Sequence, residues 1–243
     1  MPVKPAPLLL LPGLMCDETI WAPQVESLAD FSPMAVPGYP GARSLVAMAE
    51  QSLRLAPPRF SLAGHSMGGR VALEVVRLAP QRVERLALLD TGVHPPSDKE
   101  AAGRHALLAT AREQGIEAMV DAWLPPMVHP GRRGDVSFMS GLRAMLAAGG
   151  AERYGDQVEA MLARPDPRPL LGSFDGPALV GVGRQDAWST VEQNRAIAAA
   201  IPGAEFVIFE DCGHMAPVEA PEQVSEALRR WLLCQVGTRP RSP

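Results

Sequence analysis

Arg59-Phe60-Ser61-Leu62-Ala63-Gly64-His65-Ser66-Met67-Gly68-Gly69-Arg70-Val71-Ala72-Leu73 is the stretch on which the fold turns. Arg59 to Ala63 is a short apolar run behind Pro57-Pro58 and reads as a buried strand, whereas Met67 to Leu78 has the periodicity of a helix. Between them lies Gly64-His65-Ser66-Met67-Gly68, a G-x-S-x-G placed where a strand gives way to a helix. A nucleophile raised on so sharp a turn needs small residues two before and two after it, to let strand and helix approach closely. Gly64 and Gly68 meet that need.

Outward from this turn the same rhythm repeats. Pro7 to Leu11, a strand within Phe31 to Val36, and Val83 to Leu89 precede or follow helices expected over Trp21 to Leu28 and from Ser44, as N-cap, to Leu55. Alternation resumes with strands at Ala178 to Val182 and Glu205 to Phe209 and helices at Thr190 to Ile201 and Pro221 to Leu233. Such alternation predicts an α/β fold with a mostly parallel sheet and helices on both faces. From Thr91 to Gly176 strands are absent, and helices are expected over Asp98 to Gln114, Ile116 to Leu124, Asp135 to Ala148 and Ala151 to Ala163, the first opened by a Ser97/Glu100 capping box and stopped by Gly115. The expected organisation is a core over 1-90 and 177-236, a helical lid inserted over 91-176, and a flexible tail over 237-243.

The 243 residues suit one such domain, and 47% hydrophobic with 21% charged residues is the balance of a globular chain. No apolar run reaches the roughly 18 residues of a membrane span. The segment Met1 to Leu11 is too short and too interrupted by proline for a signal peptide, so a cytoplasmic setting is expected. Cys16, Cys212 and Cys234 form no C-x-x-C pair and no His-x-x-x-His is present, so no metal is expected. With a net charge of −4 and arginines interspersed with acids, nothing points to nucleic acid. Lys4 and Lys99, the only lysines, lie in no motif, and Gly181-Val182-Gly183 lacks the third glycine of a dinucleotide site; no cofactor is expected.

A serine hydroxyl attacks acyl carbon only when a base takes its proton. His214, in Asp211-Cys212-Gly213-His214-Met215 after the last strand, stands where the order serine, acid, histidine requires it; His65, next to the serine, is expected to point away, and His94, His105 and His129 fall in or near the lid. Asp186, after the strand Ala178 to Val182, is the acid that would orient the imidazole, with Asp90 at the end of the strand before the lid as its rival. Two backbone N–H groups must face the developing oxyanion. Met67, following the nucleophile, supplies one, and Leu14 in Leu11-Pro12-Gly13-Leu14 is the candidate for the other. Trp123, Met127, His129 and Phe138 are the lid residues expected to bind substrate. Five of the 11 methionines (Met119, Met127, Met139, Met145 and Met161) also fall there.

Leu8 to Gly13, Trp21-Ala22-Pro23-Gln24, Gly64 to Gly69, Gly183-Arg184-Gln185-Asp186, Gly213-His214 and Glu219-Ala220-Pro221-Glu222 together resemble the landmarks of the α/β-hydrolase family, in particular its compact lidded esterase, lactonase and carbon–carbon hydrolase members. The resemblance spans almost the whole chain outside Thr91 to Gly176 and implies the α/β-hydrolase fold. Two departures stand out: Pro12-Gly13 where many relatives carry His-Gly, and Pro37 to Ser44 where many carry Asp-x-Arg-Gly-x-Gly-x-Ser. The expectation is a serine hydrolase of small carboxylic esters or lactones, acting without cofactor through an acyl-Ser66 intermediate. Its alternatives are a carbon–carbon hydrolase, lyase or acyltransferase on the same fold, and a small-molecule receptor without turnover.

Overall fold

The computed structural model describes residues 6–36 and 38–235. Six parallel strands form one sheet in the order β2-β1-β3-β4-β5-β6: β1 Leu8–Leu11, β2 Met34–Ala35, β3 Phe60–His65, β4 Val83–Leu89, β5 Ala178–Gly183 and β6 Glu205–Phe209. The helices are α1 Ala22–Ser27, α2 Leu45–Leu55, α3 Met67–Leu78, α4 Asp98–Glu113, α5 Ile116–Trp123, α6 Val136–Ala147, α7 Gly150–Leu162, α8 Arg168–Leu171, α9 Val191–Ala200, α10 Ala216–Glu219 and α11 Pro221–Leu233. No described helix is long and apolar enough to cross a membrane. The expected tail over 237-243 lies outside the described residues.

The strands that read as continuous apolar runs are central because both their faces are covered. All four leucines of β1 are buried, and full burial of each stabilises the fold by about 1.5–3 kcal/mol. β1 pairs with β3 from Leu8↔Ser61 to Leu11↔Gly64, and β3 with β4 up to His65↔Leu89. Around the sheet, α2 packs on α3 and α1 on α11; α3 lies against β3 and β4, and α11 against β5 and β6. The edge strand β2 is shorter than expected, since Phe31 closes a 3-10 turn and Ser32 takes a left-handed conformation before it.

The chain runs outward from β1 to β2, then crosses back to β3 on the far side of β1. At this reversal the loops leaving the carboxyl ends of β1 and β3 diverge and open a crevice, the place where sheets of this kind bind ligands. Ser66 ends β3 there, and Gly13-Leu14 follow β1. Helices α4 to α8 lie between β4 and β5. Ser97 caps α4 by accepting from the Glu100 N–H, but the reciprocal half of the expected capping box does not form, because arginines hold the Glu100 carboxylate.

Candidate active site

Ser66 has φ 54° and ψ −117°, a conformation that side chains other than glycine rarely adopt. It is held from both sides: its N–H donates to the Leu89 carbonyl at 2.9 Å, and its own carbonyl accepts from Thr91 Oγ1 at 2.7 Å. The flanking glycines are required by backbone, not by side chains. A Cβ on Gly64 would lie 2.2 Å from the Gly68 carbonyl oxygen, and one on Gly68 2.3 Å from the Leu11 oxygen. The turn therefore lifts the Ser66 hydroxyl to the crevice while α3 passes close over β1.

Ser66 Oγ lies 2.8 Å from His214 Nε2, and His214 Nδ1 lies 2.8 Å from Asp186 Oδ2. A carboxylate can only accept here, so Nδ1 carries the imidazole proton and Nε2 is left as acceptor for the serine O–H. Asp186 Oδ1 accepts from the N–H groups of Trp188 and Ser189 at 2.8 and 2.9 Å, which fixes the carboxylate plane facing the imidazole. Such a chain lets the hydroxyl lose its proton to His214 as it attacks, with the resulting imidazolium balanced by Asp186.

Loop contacts explain why residues 28 apart in sequence meet. A Cβ on Gly183 would lie 2.0 Å from the Gly213 carbonyl oxygen, so these two glycines let the loops after β5 and β6 touch, and Gln185 N–H donates to the Cys212 carbonyl at 2.8 Å. Glu219 ties the histidine loop to the helical segment, its carboxylate accepting from Met215 N–H at 2.9 Å and His129 N–H at 2.7 Å. Asp90, also buried and at φ 48°, accepts from Gly183 N–H at 2.8 Å rather than meeting His214. Burial, then the neighbouring Asp186 charge, holds the Asp90 carboxyl well above the usual carboxylate range.

His65 does not point away from the site, as the sequence suggested. It is buried, its Nε2–H donates to the His214 carbonyl at 2.7 Å, and its Nδ1 would lie 2.9 Å from a Cβ on Gly13. Burial, then the His214 ring, pushes it down to about 3, so it stays neutral and acts as a strut between the loop after β1 and the histidine loop. That first loop is shaped by α7: Met15 N–H donates to Gln157 Oε1 and Arg153 Nη2 to the Cys16 carbonyl, both at 2.7 Å. Leu14 N–H has no acceptor among the described residues. Met67, the first residue of α3, has no acceptor within its helix. A pocket of about 20 Å³ lined by Gly13, Leu14, Ser66, Met127 and His214 has room for a single oxygen-sized group.

A cavity of about 650 Å³ opens from Ser66 and His214 beneath the helical segment. Tyr154, Trp123 and Trp188 wall one side as a row of edge-on rings, with Trp188 then tilted 6.5 Å from His214. Of the four lid residues singled out from sequence, Trp123 lines this cavity and the small pocket, and Met127 the small pocket. The other two lie away from both. Phe138 lines a separate groove with Thr19 and Leu142 and lies under Arg132, 3.8 Å from its ring centre, while the His129 ring turns back to accept from Gly131 N–H. Sequence reasoning missed Trp188, Tyr154 and Arg70. Only Trp188 carried a signal, its place two residues after Asp186.

The sequence profile of the alpha/beta hydrolase family matches residues 8–227. The chain is 27% identical over 93% of its length, and 90% of the relative's, to an (E)-2-((N-methylformamido)methylene)succinate hydrolase of Acinetobacter baylyi. In structure it is similar to a thermophilic esterase of Thermogutta terrifontis, with TM-score 0.84 and 32% identity, covering 93% of this chain and 89% of the other. It is also similar to an enol-lactonase of Burkholderia xenovorans, with TM-score 0.81 and 26% identity, covering 93% and 91%.

Proposed function

The chain belongs to the alpha/beta hydrolase family and is a hydrolase, and from that premise we propose that it cleaves small carboxylic esters or lactones through an acyl-Ser66 intermediate. The observation that carries this reading is the continuous Ser66–His214–Asp186 hydrogen-bond chain at the floor of the cavity. Ser66 Oγ adds to the ester carbonyl carbon as its proton passes to His214 Nε2. The oxyanion so formed sits beside Ser66, received by the N–H of Leu14, which lines the small pocket, and by the N–H of Met67, which lines the adjoining cavity. Its collapse breaks the bond to the alcohol oxygen, which takes the proton from His214 and leaves as an alcohol; a lactone keeps that hydroxyl on the acyl group. Water then adds to the acyl carbon, giving a proton to His214, and Ser66 leaves with that proton as the carboxylic acid departs. The helical segment 91–176 acts as the lid that shapes the acyl pocket, Trp123 lining it from the lid and Trp188 from the loop after β5, while Met127 lines the small pocket.

The test is covalent labelling combined with turnover. A fluorophosphonate should add once per chain, at Ser66, and His214→Ala should slow this sharply. Ser66→Ala should lower ester turnover by on the order of 10³-fold or more with unfolding little changed. Full turnover in a folded Ser66→Ala protein, or stoichiometric labelling at another serine, would overturn the assignment. Labelling at Ser66 without turnover of any ester or lactone would instead favour a receptor.

A further inference from the structure

Arg70 is the one cavity-lining guanidinium left without a carboxylate. It lies on α3 one turn beyond Ser66, its side chain lines the same cavity, and the residue is 5% exposed. Among the described residues its only hydrogen bond runs from Nη1 to the His94 carbonyl at 3.2 Å, and no acid comes within ion-pairing distance. The nearby arginines differ. Arg164 makes two bonds to Glu100, at 2.9 and 2.6 Å, and Arg104 adds a third at 2.9 Å. One carboxylate thus serves two guanidiniums, and Lys99 adds a further cation at the cavity wall.

The electrostatics agree with this count. Burial works against the charged form of Glu100, but Arg164 and Arg104 outweigh it and bring the carboxyl down to about 2; its hydrogen bonds go to those two guanidiniums and none to Arg70. Burial, then the charge of Arg164, lowers Arg70 to about 9 against the opposing charge of Glu100, and His94 is lowered by burial and then by Arg70 and Arg164. A charge this deeply buried is costly unless it is paired. Gly92 lets the chain pass close by this group, since a Cβ there would lie 2.9 Å from the His94 ring and 3.2 Å from Arg70 Nη2.

We infer that the substrate carries a carboxylate remote from its scissile carbonyl, and that Arg70 receives it while Ser66 attacks the acyl carbon. This rests on the ester or lactone reading above and names its substrate class. A planar guanidinium matches a carboxylate in two parallel N–H to oxygen bonds. One unpaired guanidinium calls for a monoanionic arm. Arg70 lies in the first turn of the helix that Ser66 precedes, and both line one cavity, so a short chain joins the anion to the reacting carbonyl.

The test compares each half ester with its diester: monomethyl against dimethyl succinate, glutarate and adipate, which share the scissile bond and differ in one charge. The wild-type protein should favour the half ester of the best-fitting length by roughly 10-fold or more in kcat/KM. Arg70→Met should collapse that ratio, chiefly through KM, and Arg70→Lys should restore part of it. A ratio at or below one in the wild type, or a ratio unmoved by Arg70→Met, overturns the inference, the latter marking Arg70 as a structural strut for His94. Calorimetric titration of Ser66→Ala protein with monomethyl and dimethyl glutarate reads the same site without turnover. If neither ester is hydrolysed, the esterase reading fails, yet tighter binding of the half ester, lost on adding Arg70→Met, still supports the anion site. Equal binding of the two overturns it.

Discussion

Replacing Asp186 by Asn removes one charge while leaving the local fold its supports. The Asn Oδ1 can still accept from the N–H groups of Trp188 and Ser189, so the loop after β5 keeps its shape. The amide nitrogen then faces His214 Nδ1, and a donor cannot satisfy the N–H that Asp186 now receives. The imidazole responds by moving its proton to Nε2, the atom that accepts from Ser66. In that tautomer His214 cannot take the serine proton, and it also loses the anion that balances the imidazolium. The combined loss in a triad of this type is on the order of 10⁴-fold in kcat. At about 1.36 kcal/mol per tenfold, this amounts to about 5 kcal/mol of transition-state stabilisation. Asp90→Asn is the internal control: Asp90 makes no bond to His214, burial and then Asp186 hold its carboxyl well above the usual carboxylate range, and an amide keeps the acceptor used by Gly183 N–H. Initial rates on a short p-nitrophenyl ester, with circular dichroism and thermal unfolding to show equal folding, decide the matter. A folded Asp186→Asn protein losing less than about 10-fold, or Asp90→Asn losing more than Asp186→Asn, would refute the assignment of the acid.

Two further outcomes follow from the same geometry. Because Trp123 lines the cavity and Phe138 does not, Trp123→Ala should shift the preference among C2 to C8 acyl p-nitrophenyl esters while Phe138→Ala leaves the profile in place; identical profiles for both would remove the helical segment from the acyl pocket. Burial, then Asp186, raises Asp90 in the folded protein, so the stability associated with its neutral form is complete below the ordinary carboxylate range and is lost as pH climbs above it. Asn at position 90 does not ionise, so the difference in unfolding free energy between Asp90→Asn and wild type should grow in favour of the variant from pH 4 to pH 8. A constant difference across that range would show that Asp90 is charged in both states.

The core was readable because the sheet is parallel and covered on both faces. Strands such as Val83–Leu89 then appear as unbroken apolar runs, and the helices between them begin at recognisable caps, as at Ser44, whose hydroxyl accepts from Ala47 N–H. β2 was the weakest reading for the complementary reason. An edge strand needs no long apolar run, and its pairing with β1 rests on Leu9↔Met34 and Leu10↔Ala35. Ser66, Asp186 and His214 were legible for a positional reason. Each follows the carboxyl end of a strand, and a parallel sheet brings all those ends to one edge, so order along the chain translates into neighbourhood in space.

Residues of the helical segment have no such frame. A helix there exposes one face to the cavity and another to solvent or to a neighbouring helix, and the choice depends on packing between elements that share no fixed repeat. Phe138 and Trp123 are both large, apolar and near the right place in sequence, yet one lies under Arg132 and the other beside Ser66. Arg70 was hidden by the opposite effect, since a cation four residues into an amphipathic helix reads as a solvated side chain. Its meaning depends on Glu100, which looked like half of a helix cap and is instead held by Arg104 and by Arg164 from the far end of the segment. With Glu100 so engaged, Arg70 has no carboxylate in hydrogen-bond contact among the described residues. The proposed anion site thus depends on an ion-pair arrangement 64 residues wide, which local pattern does not reach and three-dimensional packing does.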